Sequence, residues 1–258
     1  MDEHPTAFEF QPTSLLSAVG RLSLMLGQTV LAFRHIVRSL HLILTQVYYL
    51  GVKSVWLIAI TSIFTGGVSA WQAAYQFKDY VPIRYLGGAV GKAVLIELSP
   101  VLTALVIAGR VGAGIAAELG SMKVTEQIDA MESMAVDPIR YLVMPRFAAG
   151  IIMLPIITAV ADFIAIFGAL IVAVNLVGVE TETFMNGFKQ FFTLRDFFSG
   201  LAKAAVFGGV VSFMGCYHGF SAEGGAQGVG AATTRAVVSA AVMILVADYI
   251  MATLLFQI

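Results

Sequence analysis

The sequence predicts an all-α membrane protein with about five transmembrane helices, an N-terminal amphipathic helix lying in the interface and a short polar helix between two spans. Three observations carry this. Of the residues, 59% are hydrophobic and only 12% charged, with a mean hydropathy of +0.87, far from the composition of soluble domains. The charges are spaced so that several intervals reach the ~20 apolar residues that a bilayer-spanning helix requires. Small residues recur at every fourth position in one of those intervals, the spacing that lets membrane helices approach closely.

Taken in order, the opening residues MDEHPTAFEF carry acids and no basic region ahead of an apolar run, so they read as a short cytoplasmic tail, not a cleaved signal or a transit peptide. Residues 14–50 place apolar side chains at Leu15, Val19, Leu22, Leu26, Val30, Phe33, Val37, Leu40, Leu44 and Val47, with Arg34, Arg38 and His41 on the opposite face. This suits a helix lying apolar face down on the membrane, the alternative being a transmembrane helix with a basic flank. Residues 54–77 contain no charge and form the first span, with Trp56 and Trp71 as interfacial anchors. The second span is placed at 94–117 and the third at 147–179, the latter tilted or bent near Pro155. Residues 204–222 and 236–258 supply the fourth and fifth, joined by a glycine-rich loop. The whole of 1–258 is one domain. The basic cluster before the first span orients the N-terminus to the cytoplasm, and five spans then leave the C-terminus outside.

The second span carries small residues at Ala104, Ala108, Gly112, Ala116 and Gly120, and a second row at Gly109, Ala113 and Ala117. Gly109, Gly112 and Ala116 are therefore helix-packing positions, either within one subunit or between two copies. Residues 124–136 form a polar helix in which Glu126, Asp129 and Glu132 share a side and Ile128, Met131 and Met134 supply apolar contacts, with Asp137-Pro138 ending it. An acidic face sits poorly against an anionic leaflet, so this helix is read as docking into a soluble partner in preference to lying on lipid.

Ionisable side chains at membrane depth are costly and are as a rule paired or functional: here Glu97, Arg110, Glu118, Asp162 and Asp248. Glu97 and Asp248 are the functional candidates, because each breaks an otherwise apolar span in its outer half. A net charge of −1 gives no field for nucleic acid, and the single cysteine, Cys216, builds neither a disulfide framework nor a zinc cluster in one chain. No HExxH or GxSxG is present; GGAVGKA at 87–93 lacks the spacing and the Ser/Thr of a phosphate-binding loop, and no metal-ligand spacing is found. If ATP drives this protein, a partner binds it.

Residues 97–147, with E-L-x-P, A-G-R-x-G, A-E-L-G, T-E-Q-I-D-A and D-P in order, closely resemble the signature region of the MlaE-type permeases, the membrane subunits of MCE-associated ABC transporters. GAQGVGAATTRAVV at 225–238 is similar to the same family. The resemblance implies a homodimeric phospholipid permease of the bacterial inner membrane, in which the C-terminus that the span count leaves outside is periplasmic. Its implied partners are a cytoplasmic ABC ATPase, which binds ATP and Mg in place of any cofactor on this chain, a hexameric MCE-domain protein on the periplasmic side, and a small accessory subunit on the ATPase. The helix at 124–136 becomes a coupling helix, with Glu126, Asp129, Met131 and Glu132 facing the ATPase, and Glu97 and Asp248 fall in segments that line the lipid pocket between the two copies. Ile96 departs from the basic residue some members carry there. A proton-coupled secondary transporter relaying through Glu97, Asp162 and Asp248, or a membrane scaffold, are the competing expectations; five spans speak against the inverted repeats of the former.

Overall fold

The computed structural model describes residues 12–78 and 80–256. The tail at 1–11 and the last two residues of the expected fifth span lie outside the described residues, as do the side chains of residues 12–18, His35, Val37 and Arg38, so the basic face expected at Arg34, Arg38 and His41 is described only in part.

Among the described residues every regular element is helical. They are α1 (Pro12–Ala32), α2 (Leu40–Phe77), α3 (Ile83–Val124), α4 (Gln127–Ser133), α5 (Ile139–Val177), α6 (Thr181–Phe191), α7 (Leu194–Phe220) and α8 (Gly225–Leu255). Five of these, α2, α3, α5, α7 and α8, are long and apolar enough to cross a membrane. At 1.5 Å per residue the 42 residues of α3 reach about 63 Å, twice the hydrocarbon thickness, so its ends project beyond the apolar layer.

Residues 14–50 are not one helix. The chain turns through a 3₁₀ stretch, Phe33–Ser39, and Leu40–Gly51 then runs on through the turn Val52–Ser54 into the first span. Tertiary packing decides this: Ile43 and Leu50 are buried in the core shared with α5, which makes the second half of the expected surface helix part of the bundle. α1 itself packs Leu22, Met25 and Ala32 against that core and leaves Val19, Leu26 and Val30 outward.

The bundle is held by close backbone approaches. α2 crosses α5 where a Cβ on Gly66 would lie 1.7 Å from the Ala165 carbonyl oxygen and one on Gly168 would lie 2.3 Å from that of Ile63. Only glycine permits this contact, which substitutes for the hydrophobic effect that lipid does not supply. Many of the largest side chains point outward: Trp56, Phe64 and Tyr75 of α2, Phe163 of α5 and Tyr249 of α8 are exposed. That distribution is expected for a protein whose solvent is hydrocarbon.

α6, which periodicity in the 147–222 region did not single out, lays Phe184 and Phe188 against Gly87 and Gly91 at the start of α3. The polar helix is shorter than 124–136. Glu126 adopts the left-handed conformation (φ 59°) before α4, and Ala135 (φ 59°) reverses the chain after it. Asp137 does not end α4 but caps α5, its Oδ1 accepting the Ile139 N–H at 2.9 Å, with Pro138 at the helix entrance.

Candidate functional site

Three spans converge on one ammonium group. Lys203, nine residues into α7, has no side-chain exposure; its Nζ donates to Glu97 Oε1 of α3 at 2.6 Å and pairs with Asp248 Oδ1 of α8 at 2.9 Å. The local sequence explains the convergence. Pro100 has no N–H to continue the α3 ladder, and the preceding residues Val94–Leu98 take a π-helical turn, which swings Glu97 toward α7. On α7, a Cβ at Gly200 would lie 2.1 Å from the Leu95 carbonyl oxygen, so this glycine lets the two backbones touch one turn before Lys203. On α8, Asp248 is seven residues from the helix end at Leu255. The two carboxylates retain 43% and 21% side-chain exposure, so the cluster opens outward from the bundle while its cation is sealed inside. One lysine between two acids leaves a formal charge of −1, which an isolated chain in hydrocarbon does not hold without a further partner.

Lys203 was not singled out as a site residue from the sequence, where it counts as a basic residue outside the fourth span. The helix starts at Leu194 and not near 204, because Thr193 caps it by accepting the Asp196 N–H at 3.3 Å. A signal existed: Lys203 lies in SGLAKAAVFGG, flanked only by small and apolar residues, the setting of an interior lysine.

The other charges at membrane depth divide. Glu118 accepts from Arg146 Nη2 at 2.8 Å, and Arg146, 4% exposed, also donates to the Leu142 carbonyl. Asp162 is buried in α5 and makes no hydrogen bond to Glu97 or Asp248, so the three acids do not form one chain of contacts. Arg110, on a second π-helical turn of α3 (Ala108–Gly112), donates to Ser54 Oγ of α2 and forms no ion pair among the described residues.

The small-residue rows of α3 also separate. Gly112 and Ala116 are buried against α7, where Gly215 lies under the Gly112 carbonyl and Gly219 beside Ala116. In the second row a Cβ on Gly109 would meet nothing within 4 Å while Ala113 and Ala117 are half-buried; a Cβ on Gly114, outside both rows, would also meet nothing.

On α4, Glu126, Asp129 and Glu132 are exposed, and Asp129 pairs with Lys123 at 2.7 Å. Met131 is half-buried against the core with Ile128 beneath it, while Met134 is exposed. The helix thus anchors itself by Ile128 and Met131 and presents its acids outward.

Comparison with known proteins agrees with this architecture. The family model described as Permease MlaE matches residues 43–254. The chain is 40% identical over 219 residues to a probable ABC transporter permease protein of Rickettsia typhi, covering 85% of each. It is 41% identical over 214 residues to a probable ABC transporter permease protein of Synechocystis, covering 83% of this chain and 81% of that one. It is 34% identical over 247 residues to the intermembrane phospholipid transport system permease protein MlaE of Haemophilus influenzae, covering 95% of each.

Proposed function

This chain belongs to the MlaE permease family, and from that premise we propose that it is the membrane subunit of an ATP-driven phospholipid transporter in a bacterial inner membrane. The observation that carries the reading is the Glu97–Lys203–Asp248 cluster, a sealed cation with two outward-facing acids contributed by three spans. A glycerophospholipid needs an apolar chamber for its tails and a few polar groups for its headgroup. The cluster supplies those groups in the outer half of the membrane when the N-terminus is cytoplasmic.

In this reading two copies pair across α3 at Gly109, and the lipid sits between them. Glu97 and Asp248 are the groups that face the lipid headgroup, and Lys203, sealed behind them, holds the two carboxylates in place. α4 is the coupling helix, and Glu126, Asp129 and Glu132 meet the ATPase, which holds the ATP and Mg. Closure of two ATPase copies moves the coupling helices together, and the closely packed helices carry that movement to the chamber. An MCE-domain protein on the periplasmic side, a hexameric conduit, exchanges lipid with it, and an accessory subunit rides on the ATPase.

Affinity purification from native membranes in mild detergent, followed by mass spectrometry of proteins and lipids, tests this. An ATPase, an MCE-domain protein and phospholipid are the expected companions. Recovery of the chain with no ATPase would contradict the reading and favour an ion-coupled transporter.

A further inference from the structure

Arg110 is a cation at membrane depth without a countercharge. Its guanidinium donates to the neutral hydroxyl of Ser54, and no carboxylate pairs with it among the described residues. It lines a cleft between α2 and α3 of about 140 Å³, together with Gln46, Tyr49, Lys53 and Glu118. Lys53 adds a second positive charge there, its ammonium 4.1 Å from the Tyr49 ring. Glu118, the one acid of the cleft, is already paired with Arg146. The cleft therefore carries two cations that the chain leaves uncompensated, with an amide and a phenol beside them as further polar groups.

Its position on α3 matches that of the Glu97 cluster. Each of the two charged residues sits on its own π-helical turn, Val94–Leu98 for Glu97 and Ala108–Gly112 for Arg110, a distortion frequent at functional sites. Thirteen residues separate them, about 20 Å along the helix. Gly114 lines the same cleft, and a Cβ there would meet nothing within 4 Å, so no side chain of this chain closes the cleft at that point.

We propose that Arg110 and Lys53 bind a phosphodiester headgroup, forming a second lipid station on the opposite side of the membrane from Lys203. The inference rests on the reading of the chain as a phospholipid permease. Charge complementarity selects the ligand: a monoanionic phosphate partly neutralises two cations, and the guanidinium offers it a bidentate donor pair. The two stations differ in sign, −1 at the outer cluster and positive at the inner cleft, so the headgroup passes between unlike environments as it crosses.

The test is phosphatidylglycerol binding to the purified full-length permease in nanodiscs, read by native mass spectrometry and by headgroup photocrosslinking with peptide mapping. Arg110→Gln is expected to weaken binding roughly tenfold, as loss of a charge-assisted contact does, and to abolish crosslinks to residues 46–53. Arg110→Lys should retain part of the affinity, and Lys53→Gln should add to the loss. Ser54→Ala, which removes the hydrogen-bond partner but no charge, should leave binding within about twofold; an equal loss there would assign Arg110 a structural role and overturn the proposal. Displacement of the lipid by millimolar inorganic phosphate would also overturn it, by showing a free-phosphate site. Lys203→Met serves as the separating arm. Unchanged binding in Arg110→Gln with loss in Lys203→Met removes the second station alone, whereas unchanged binding in both removes the lipid reading itself.

Discussion

Lys203 Nζ donates to Glu97 Oε1 at 2.6 Å across 106 residues of sequence, and this contact joins α7 to α3, as the Lys92–Asp196 pair does at 3.3 Å nearer the helix starts. Asp248 completes the junction from α8. Removing one partner of a buried pair strands the other, at a typical cost of 3–5 kcal/mol, more than most single substitutions. Lys203→Met should therefore lower the melting temperature of the detergent-purified protein sharply. Adding Glu97→Gln and Asp248→Asn to it should restore much of the stability, because the like charges are then gone too.

Gly200 holds the geometry of that contact. A methyl group there would lie 2.1 Å from the Leu95 carbonyl oxygen, so Gly200→Ala must push α7 away from α3. Overpacking of this kind costs about 1–3 kcal/mol. The same substitution at Gly109, which meets nothing within 4 Å, should leave the isolated chain's thermal stability unchanged within about 0.5 kcal/mol. A comparison of the two melting temperatures checks both statements, and a loss of dimer in Gly109→Ala would place the second copy on that face.

Two of the three ion pairs outside the central cluster, Arg146–Glu118 and Lys123–Asp129, should differ in weight. Arg146 is buried and holds Glu118 and the Leu142 carbonyl together, so Arg146→Ala removes both hydrogen bonds and empties a buried site. Lys123 and Asp129 are both partly exposed, at 33% and 52%, so water screens the pair and it contributes no more than about 1 kcal/mol. Denaturation of Arg146→Ala and Lys123→Ala side by side is expected to show a large loss for the first and almost none for the second, and salt should matter only for the second.

Ala135 has φ 59°, a conformation that costs an L-residue about 1–2 kcal/mol relative to glycine. Ala135→Gly should accordingly stabilise the turn after α4 by a few tenths to about 1 kcal/mol, net of the greater entropy of glycine in the unfolded chain. Ala135→Val should destabilise it. Amide hydrogen exchange across α4 reports both directions.

Much of this fold was legible in one dimension. Spacing between charges locates apolar spans because a bilayer tolerates few of them, and the small-residue rows of α3 are visible as a period of four. Three features were not. The turn at Phe33–Ser39 interrupts a helical apolar pattern that continues unbroken on both sides, and only the packing of Ile43 and Leu50 on α5 reveals it. The reversals at Glu126 and Ala135 use residues other than glycine, so nothing in their identity announces a positive φ. Lys203 was hidden for another reason: a lysine near a helix start is as a rule a flank, and its partners lie on other helices. Glu97 and Asp248 could be noticed singly, as acids in apolar runs, but what joins them is a contact that no sequence spacing encodes.

The most direct test of the account is ATP-dependent transfer of a labelled phospholipid by proteoliposomes holding the permease with its ATPase. The wild-type complex should move lipid, and the Lys203→Met, Glu97→Gln, Asp248→Asn triple variant should assemble and hydrolyse ATP yet move little. Full transport by the assembled triple variant would contradict the assignment of lipid handling to this cluster.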